Sequence, residues 1–277
     1  MSELIDGKLI SKTIEHDLKT KIADLHLSPK LIIIQIGNKE ESNTYIKHKI
    51  AFAERIGVVV EYKKYAETIA EESVITDIKN YNTDSTVHGI IVQLPVPPQF
   101  SATKILETIV ATKDVDGLTS ASTNSLLRNE PGFVSGATQA VLKILEIKQI
   151  DVTGKRIVVV GHSALVGKPT ALALMNRNAT VTVCHEFTKD LATETKQADI
   201  LITAVGKPNL ITTDHVSAGQ MIIDIGITVT ADKKVVGDVD FEAVKDIVAA
   251  ITPVPGGIGP MTIACLFENL ITAAAAK

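Results

Sequence analysis

The sequence predicts an α/β protein of two domains, each built on a parallel sheet. Short apolar runs alternate with helix-length segments along the chain, which is typical of parallel strands joined by crossover helices. The chain contains no Trp and only 4% aromatic residues, so its core is aliphatic, as in strands buried on both faces. Its 277 residues are enough for two domains of ordinary size.

The elements of the first domain follow in order. A helix over 3–27 precedes the apolar strand 31–37, and a second helix, 40–56, stops at Gly57. Strand 58–62, helix 71–81, strand 89–94 and a helix around 103–109 follow. Strands closed by Gly or Pro and separated by helices predict right-handed crossovers in one parallel sheet.

A second series begins near residue 138, with helix 139–147 and strands 157–160, 180–184, 200–205 and 221–224. An alanine-rich helix starts at about Met261. We therefore expect one domain over 1–134, completed by the terminal helix 258–277, and a Rossmann-like dinucleotide-binding domain over 135–257.

Composition excludes several classes of protein. A hydrophobic share of 45% and a charged share of 22% argue against disorder and low complexity. The net charge of −4 argues against nucleic acid as the main partner, because proteins that bind phosphate backbones are usually basic. No apolar run approaches a membrane span, and the N-terminus lacks the features of a signal peptide. Cys184 and Cys265 stand far apart, which predicts neither a disulfide framework nor a metal site and fits a reducing cytoplasm.

The segment 161–167 is a candidate phosphate-binding turn between a strand and a helix. Its predicted dinucleotide contacts are Gly161, His162, Ser163, Val166 and Gly167. A backbone free of side chains approaches a pyrophosphate there, and a helix N-terminus adds partial positive charge. The glycine spacing departs from the usual fingerprint, and a plain tight turn is the alternative. Val205 and Gly206 end another strand at the edge where ligands gather, which favours the cofactor interpretation.

Lys49 is the most informative single residue. With the segment 40–56 placed on a helix at ~100° per residue, Lys49 and Tyr45 lie within the apolar arc, one turn apart. Lys47 and His48 point away from that arc. One interpretation is a lysine whose stem reaches out to solvent. The other is an amine in a partly dry site, where desolvation lowers the pKa toward a role in proton transfer.

Three further residues are candidates at the same sheet edge. Gln93 ends the third strand before a proline-rich loop, where it either caps backbone groups or acts in a site. Asp114 and Asp116 alternate in a segment expected to be extended, either as an acid/base pair or as turn residues. They matter functionally only if they converge.

The chain resembles the bifunctional methylenetetrahydrofolate dehydrogenase/cyclohydrolase family along nearly its whole length. The matching segments in the first half are SNTYIKHK (42–49), GIIVQLP (89–95) and KDVDG (113–117). Those in the second half are VGHS (160–163), VGKP (166–169), AVGKP (204–208), IDIGI (223–227), VGDV (236–239) and TPVPGGIGPMT (252–262).

The resemblance implies that the first domain and the terminal helix hold tetrahydrofolate derivatives, with the nicotinamide cofactor on the middle domain and the folate in the cleft between. It makes Lys49 the catalytic lysine, Gln93 its neighbour, Tyr45 a stacking residue and Asp116 a hydrogen-bond partner of the pterin. It adds Leu94, Pro255, Gly256 and Gly257 to the substrate site and Ile227 to the cofactor site. The implied reactions are hydride transfer from 5,10-methylenetetrahydrofolate and hydrolysis to 10-formyltetrahydrofolate. The family also suggests a homodimer.

The chain departs from the family pattern at 119–124, at 135–138 and at Ala51, where a second lysine is common. Three alternatives therefore accompany the bifunctional enzyme: a monofunctional dehydrogenase, a non-catalytic folate or dinucleotide binder, and a dehydrogenase of the shikimate-dehydrogenase type.

Cofactor choice rests on Glu186 and His162. NADP is what the family leads us to expect. However, Glu186 follows the strand 180–184, where a carboxylate accepts hydrogen bonds from a ribose hydroxyl and repels a 2′-phosphate. His162 and Lys189 could neutralise that phosphate. NAD is therefore the alternative cofactor.

Overall fold

The computed structural model describes residues 2–276, which form two compact units. The N-terminal unit comprises residues 12–136 and 263–276, and the central unit comprises 2–11 and 137–262. The sequence placed 1–134 and 258–277 in the first domain, with positions 1 and 277 outside the described residues. The observed division differs at 2–11, 135–136 and 258–262. Residues 2–11 belong to the central unit because strand β1 (Glu3–Leu4) pairs with β11 (Ala250–Ile251) of that unit.

The N-terminal unit contains a three-stranded parallel sheet in the order β3-β2-β4. Its strands are β2 (Lys30–Ile36), β3 (Val59–Tyr65) and β4 (Gly89–Val92). Its helices are α2 (Glu40–Ile56), α3 (Glu71–Thr83), α4 (Ala102–Leu106) and α5 (Ser120–Leu127). Helices α1 (Gly7–Asp24) and α10 (Ile258–Ala275) contribute residues to both units.

Strand β2 is central because its side chains are apolar on both faces. Leu31, Ile32, Ile33 and Ile34 are all fully buried, as expected for a parallel strand covered on both sides. Ile32 and Ile34 share one core cluster with Val74 and Ile78 of α3. The carboxyl ends of β2 and β4 thereby lie side by side, next to the start of α2.

The terminal helix completes the N-terminal unit. The ring of Phe267 stacks on that of Phe52 with centroids 5.1 Å apart. Asn269 Nδ2 donates to the carbonyls of Val115 and Val134, each at 2.9 Å. Helix α10 is also long and apolar enough to span a membrane by length and composition alone, but 61% of it is buried within the protein, as in the core helix of a globular protein.

The central unit holds a six-stranded parallel sheet in the order β1-β11-β8-β7-β5-β6. Its other strands are β5 (Arg156–Val160), β6 (Thr180–Cys184), β7 (Ile200–Thr203) and β8 (Met221–Asp224). Strands β9 (Thr228–Val229) and β10 (Val235–Val236) form a separate two-stranded antiparallel sheet. The remaining helices are α6 (Gly136–Ile147), α7 (Gly167–Met175), α8 (Leu191–Lys196) and α9 (Phe241–Val244).

The strand order creates a switch point beside β5. Strand β6 lies on one side of β5 and β7 on the other, so the chain leaves the carboxyl end of β5 at the place where the sheet reverses its winding. In open α/β sheets this is where ligands bind. The predicted α/β class with two parallel-sheet domains is confirmed.

Candidate active site

Helix α2 presents Lys49 as the sequence pattern predicts. The helix spans Glu40–Ile56, the predicted bounds, and ends at Gly57, whose φ of 79° is left-handed. Phe52 and Ile56 are buried, Lys49 is half-buried, and Lys47 and His48 are exposed. Tyr45 keeps 39% of its surface exposed, so its ring stands at the edge of the apolar arc. Burial of its remainder raises the pKa of Tyr45, which keeps its hydroxyl protonated.

The side chains of Lys49 and Gln93 are hydrogen-bonded within the N-terminal unit. The Lys49 ammonium donates to Gln93 Oε1 at 3.1 Å, and Gln93 Nε2 donates to the carbonyl of Leu94 at 2.9 Å. Gln93 N donates to Ile34 O at 2.8 Å, so strand pairing continues one residue beyond β4. The second amide hydrogen bond sets which end of the Gln93 side chain faces the lysine, while Leu94 packs half-buried against the core.

The electrostatics of the site couple Lys49 with Asp116. Desolvation by burial lowers the pKa of Lys49, and the charge of Asp116 opposes that shift. Desolvation also raises the pKa of Asp116, against the charge of Lys49 and together with that of Asp114. Burial thus favours the neutral form of each group, while the charge of each favours the ionised form of the other, so the protonation of Lys49 depends on that of Asp116.

Asp114 and Asp116 have different interaction partners. Their segment, which was predicted to be extended, forms a turn. Asp114 is 1% exposed, and its carboxylate accepts from Leu118 N at 3.1 Å and Thr119 N at 2.9 Å. It also accepts from Ser122 Oγ at 2.6 Å. Gly117 follows at a φ of 65°. Asp114 therefore fastens the turn to the start of α5, which leaves Asp116 as the carboxylate coupled to Lys49.

The turn bearing Asp116 is held from its other side by Lys113. This buried side chain donates to three carbonyls at the end of α3, those of Tyr81, Asn82 and Asp84, at 2.7, 2.8 and 2.7 Å. The positioning roles of Lys113 and Asp114 were not among the features predicted from the sequence. The signal was present, because KDVDG alternates charged residues with Val115, which is fully buried.

The turn after β5 can receive a phosphate. A Cβ at Gly161 would lie 2.4 Å from Ala204 O, and one at Gly167 would lie 2.1 Å from Gly161 O, so the turn closes only with glycine at both positions. Ser163 Oγ accepts from Val166 N at 3.2 Å, and α7 begins at Gly167. The arrangement fits a dinucleotide, because a turn closed by two glycines lets the backbone approach a phosphate at a helix N-terminus.

The other predicted cofactor residues lie on neighbouring loops of the same unit. Val205 is 46% exposed and Ile227 is 41% exposed. Gly206 lies between β7 and β8 with a φ of 76°. These exposed apolar side chains stand at the carboxyl end of the sheet, near the turn after β5.

The end of β6 carries the groups that bear on cofactor choice. The rings of His162 and His185 lie 4.8 Å apart. His185 Nδ1 accepts from Phe187 N at 3.2 Å, which leaves Nε2 of that ring as its free donor. Glu186 and Lys189 are both exposed.

Pro255, Gly256 and Gly257 form the loop before α10 in the central unit. Gly256 has a φ of 114°, and its carbonyl accepts from Lys8 N at 3.2 Å. Their contact with substrate stays a prediction. Among residues 2–276, no group of three or more His, Cys, Asp or Glu side chains could hold a metal ion.

Comparison with known proteins identifies the family. Residues 5–116 match the catalytic domain, and residues 135–277 the NAD(P)-binding domain, of tetrahydrofolate dehydrogenase/cyclohydrolase. The bifunctional protein FolD of Agathobacter rectalis is 42% identical over 99% of both chains.

Two solved structures are similar over the whole chain. That of bifunctional FolD from Campylobacter jejuni has a TM-score of 0.97 and 41% identity, covering 99% of both chains. That of the Trypanosoma brucei enzyme, complexed with NADP and inhibitor, has a TM-score of 0.93 and 31% identity over 98% of this chain and 97% of that one. The match favours this family over the shikimate-dehydrogenase type, and the chain belongs to the tetrahydrofolate dehydrogenase/cyclohydrolase family.

Proposed function

We propose that Lys49, Gln93, Asp116 and Tyr45 perform the folate chemistry of this enzyme. The enzyme oxidises 5,10-methylenetetrahydrofolate to 5,10-methenyltetrahydrofolate by hydride transfer to a nicotinamide dinucleotide and hydrolyses the product to 10-formyltetrahydrofolate. The observation that carries the residue assignment is Lys49 itself. It is a half-buried amine held at 3.1 Å by the Gln93 amide, with a pKa lowered by burial.

Hydrolysis requires a group that moves protons. Water bonds to the methenyl carbon and loses one proton, and a ring nitrogen takes up a proton as its bond to that carbon breaks. The remaining hydroxyl proton leaves to solvent as the formyl C=O forms. Neutral Lys49 accepts the first proton, and its ammonium supplies the second. Gln93 keeps the amine in place through Oε1, and Asp116 stabilises the ammonium while Lys49 carries the proton. Tyr45 supplies an aromatic face against which the flat pterin stacks.

Oxidation depends on alignment more than on acids or bases. The nicotinamide ring, when bound, accepts the hydride. The residues that bind the dinucleotide are Gly161, His162, Ser163, Val166 and Gly167 at the phosphate turn, Val205, Gly206 and Ile227 on the adjacent loops, and Glu186 beside β6. On the folate side, Leu94 adds to the substrate site of the N-terminal unit.

A paired assay tests this proposal. Methylenetetrahydrofolate and methenyltetrahydrofolate are each supplied with NADP or NAD, and absorbance follows both reactions. We expect turnover in both reactions. Oxidation without methenyl hydrolysis would instead indicate the monofunctional dehydrogenase, and binding without either reaction would indicate the non-catalytic binder.

For cofactor choice, we propose that the enzyme uses NADP and that Glu186 reduces its preference for NADP over NAD. An exposed carboxylate beside β6 accepts a hydrogen bond from the ribose 2′-hydroxyl of NAD and repels the 2′-phosphate of NADP. The neighbouring rings of His162 and His185 offer donors to that phosphate. The NADP-bound Trypanosoma brucei relative supports NADP as the family cofactor.

Glu186→Ser should raise the ratio of kcat/KM for NADP to that for NAD by about tenfold, the effect of one hydrogen bond to a charged group. Glu242→Ser serves as the control, because Glu242 is an acidic residue on α9 whose side chain is 76% exposed. A wild type that prefers NADP by about a hundredfold or more, with a ratio unchanged in Glu186→Ser, would contradict the role of Glu186.

We also propose a cytoplasmic homodimer whose small-molecule partners are folates, with neither nucleic acid nor a membrane as partner. Cys184 and Cys265 are buried and form no disulfide, which suits a reducing compartment. Light scattering should give twice the chain mass of 29.6 kDa, and cell fractionation should recover the enzyme in the soluble fraction. A single-chain mass or a membrane-bound pool would contradict the respective proposal.

A further inference from the structure

Two buried carboxylates lie beneath the loops that carry Val205, Gly206 and Ile227. Asp238 is fully buried and Asp224 is 2% exposed. Asp224 lies in the family segment IDIGI (223–227) and Asp238 in VGDV (236–239). Buried carboxylates are retained only where donors satisfy them, so their partners show what they hold.

The Asp238 carboxylate holds the loop 205–207. Its Oδ2 accepts from Val205 N at 2.7 Å, and its Oδ1 accepts from Lys207 N at 2.8 Å. Both oxygens of one side chain thus bind two amides that flank Gly206. The Gly206 carbonyl is tied separately, because Thr228 Oγ1 donates to it at 3.0 Å.

Asp224 supports Asp238 and the neighbouring loop. Its carboxylate accepts from Thr203 Oγ1 at 2.9 Å and from Gly226 N at 2.8 Å. It also accepts from Asp238 N at 3.2 Å and Val239 N at 3.0 Å. Asp224 therefore joins the ends of β7 and β8 to the backbone that carries Asp238.

Two glycines leave the space that these carboxylates fill. A Cβ at Gly226 would lie 2.2 Å from Asp238 Oδ1, and a Cβ at Gly237 would lie 2.0 Å from Asp224 Oδ2. Neither carboxylate can move aside, because hydrogen bonds hold both oxygens of each. The packing and the hydrogen bonds therefore define one position for the loop.

We propose that Asp238 is a positioning residue for the dinucleotide, acting by holding the loop 205–207 in its binding conformation before the ligand arrives. The amides of Val205 and Lys207 point inward to the carboxylate, so the loop offers the Val205 side chain to the ligand. A preordered loop spares the ligand the entropic cost of ordering it. The inference rests on the proposed cofactor role of Val205 and Gly206.

Asp238→Asn is the direct test, because an amide of the same shape keeps one acceptor oxygen and places an NH₂ group against the other backbone N–H. We expect the Kd for NADPH, measured by fluorescence, and the KM for the dinucleotide to rise about tenfold. The kcat of methenyl hydrolysis, assigned to Lys49 in the N-terminal unit, should remain within about twofold of wild type.

Asp240→Asn is the matched control. Asp240 lies two residues away and caps α9 by accepting from Ala243 N at 3.3 Å, so its loss costs stability of the same unit without touching the loop. Its NADPH affinity should match that of the wild type. Equal weakening in both variants, or an NADPH affinity for folded Asp238→Asn within about twofold of wild type, would overturn the inference.

Two further variants complete the design. Val205→Asp places a negative charge on the exposed side of the loop. If the loop contacts the dinucleotide, this variant should bind NADPH more weakly. If it does so while Asp238→Asn does not, only the positioning role fails; if neither does, the proposed cofactor site is wrong. Should Asp238→Asn not fold, Asp238→Ser takes its place, because a serine hydroxyl cannot accept from both the Val205 and Lys207 amides, and an unchanged NADPH affinity in that variant would overturn the inference.

Discussion

Lys49→Met should abolish the hydrolysis of methenyltetrahydrofolate, with a loss of about a hundredfold or more in kcat, the usual contribution of a general acid or base. Methionine is unbranched like Lys49 but lacks the amine that hydrogen-bonds Gln93. Folding and NADPH binding should therefore stay close to wild type. Thermal unfolding and fluorescence titration check both.

Lys47→Met is the control for this variant, because it makes the same replacement on the exposed face of α2 and should leave hydrolysis unchanged. Retention of more than about a tenth of the hydrolysis rate by Lys49→Met, a change of under ~1.4 kcal/mol in the barrier, would show that Lys49 is not the proton carrier.

Asp116→Asn should raise the KM for folate in both reactions by about tenfold or more. In the proposed complex the Asp116 carboxylate accepts from paired N–H donors of the pterin, and the amide that replaces it has only one acceptor oxygen. The variant should also change the pH dependence of hydrolysis. The charge of Asp116 raises the pKa of Lys49 against the effect of burial. Without that charge the pKa falls further, so neutral Lys49 persists to lower pH and the acid limb of the kcat profile moves to lower pH.

Asp114→Asn separates this role from a structural one. Asp114 accepts only from groups of the protein itself, so its replacement should lower the free energy of unfolding by about 1–3 kcal/mol. Asp116→Asn should leave that free energy nearly unchanged. Unaltered folate kinetics and an unmoved pH profile in Asp116→Asn would make Asp116 a turn residue only.

Local sequence signals predicted the regular elements well. Helix α2 and strands β6 and β8 have their predicted bounds, because Gly57 ends the helix in a left-handed conformation and the strands are short apolar runs. The predicted helix from Glu3 begins instead at Gly7. Residues Glu3–Leu4 form a strand only through pairing with Ala250–Ile251, and no local pattern reveals a partner so distant in the chain.

The candidate site likewise combines features that the local sequence predicts with features that depend on the fold. Helical periodicity alone placed Lys49 in an apolar arc beside Tyr45, because each turn of a helix repeats the same face. Periodicity could not tell Asp114 from Asp116, since two residues in a turn point wherever their hydrogen bonds direct them. Only the fold shows that Asp114 binds the start of α5 while Asp116 is coupled to Lys49.

The sequence by itself determined the α/β class, most element positions and the lysine on α2, all of which depend on residues close together in the chain. The tertiary structure alone decided that Gln93 Oε1 faces Lys49, that Asp238 holds the amides on either side of Gly206, and that residues 2–11 join the central unit. These features depend on contacts between distant segments. A buried polar group takes whichever partner the packed chain brings within hydrogen-bond distance, and that choice is made only when the sheets and helices assemble.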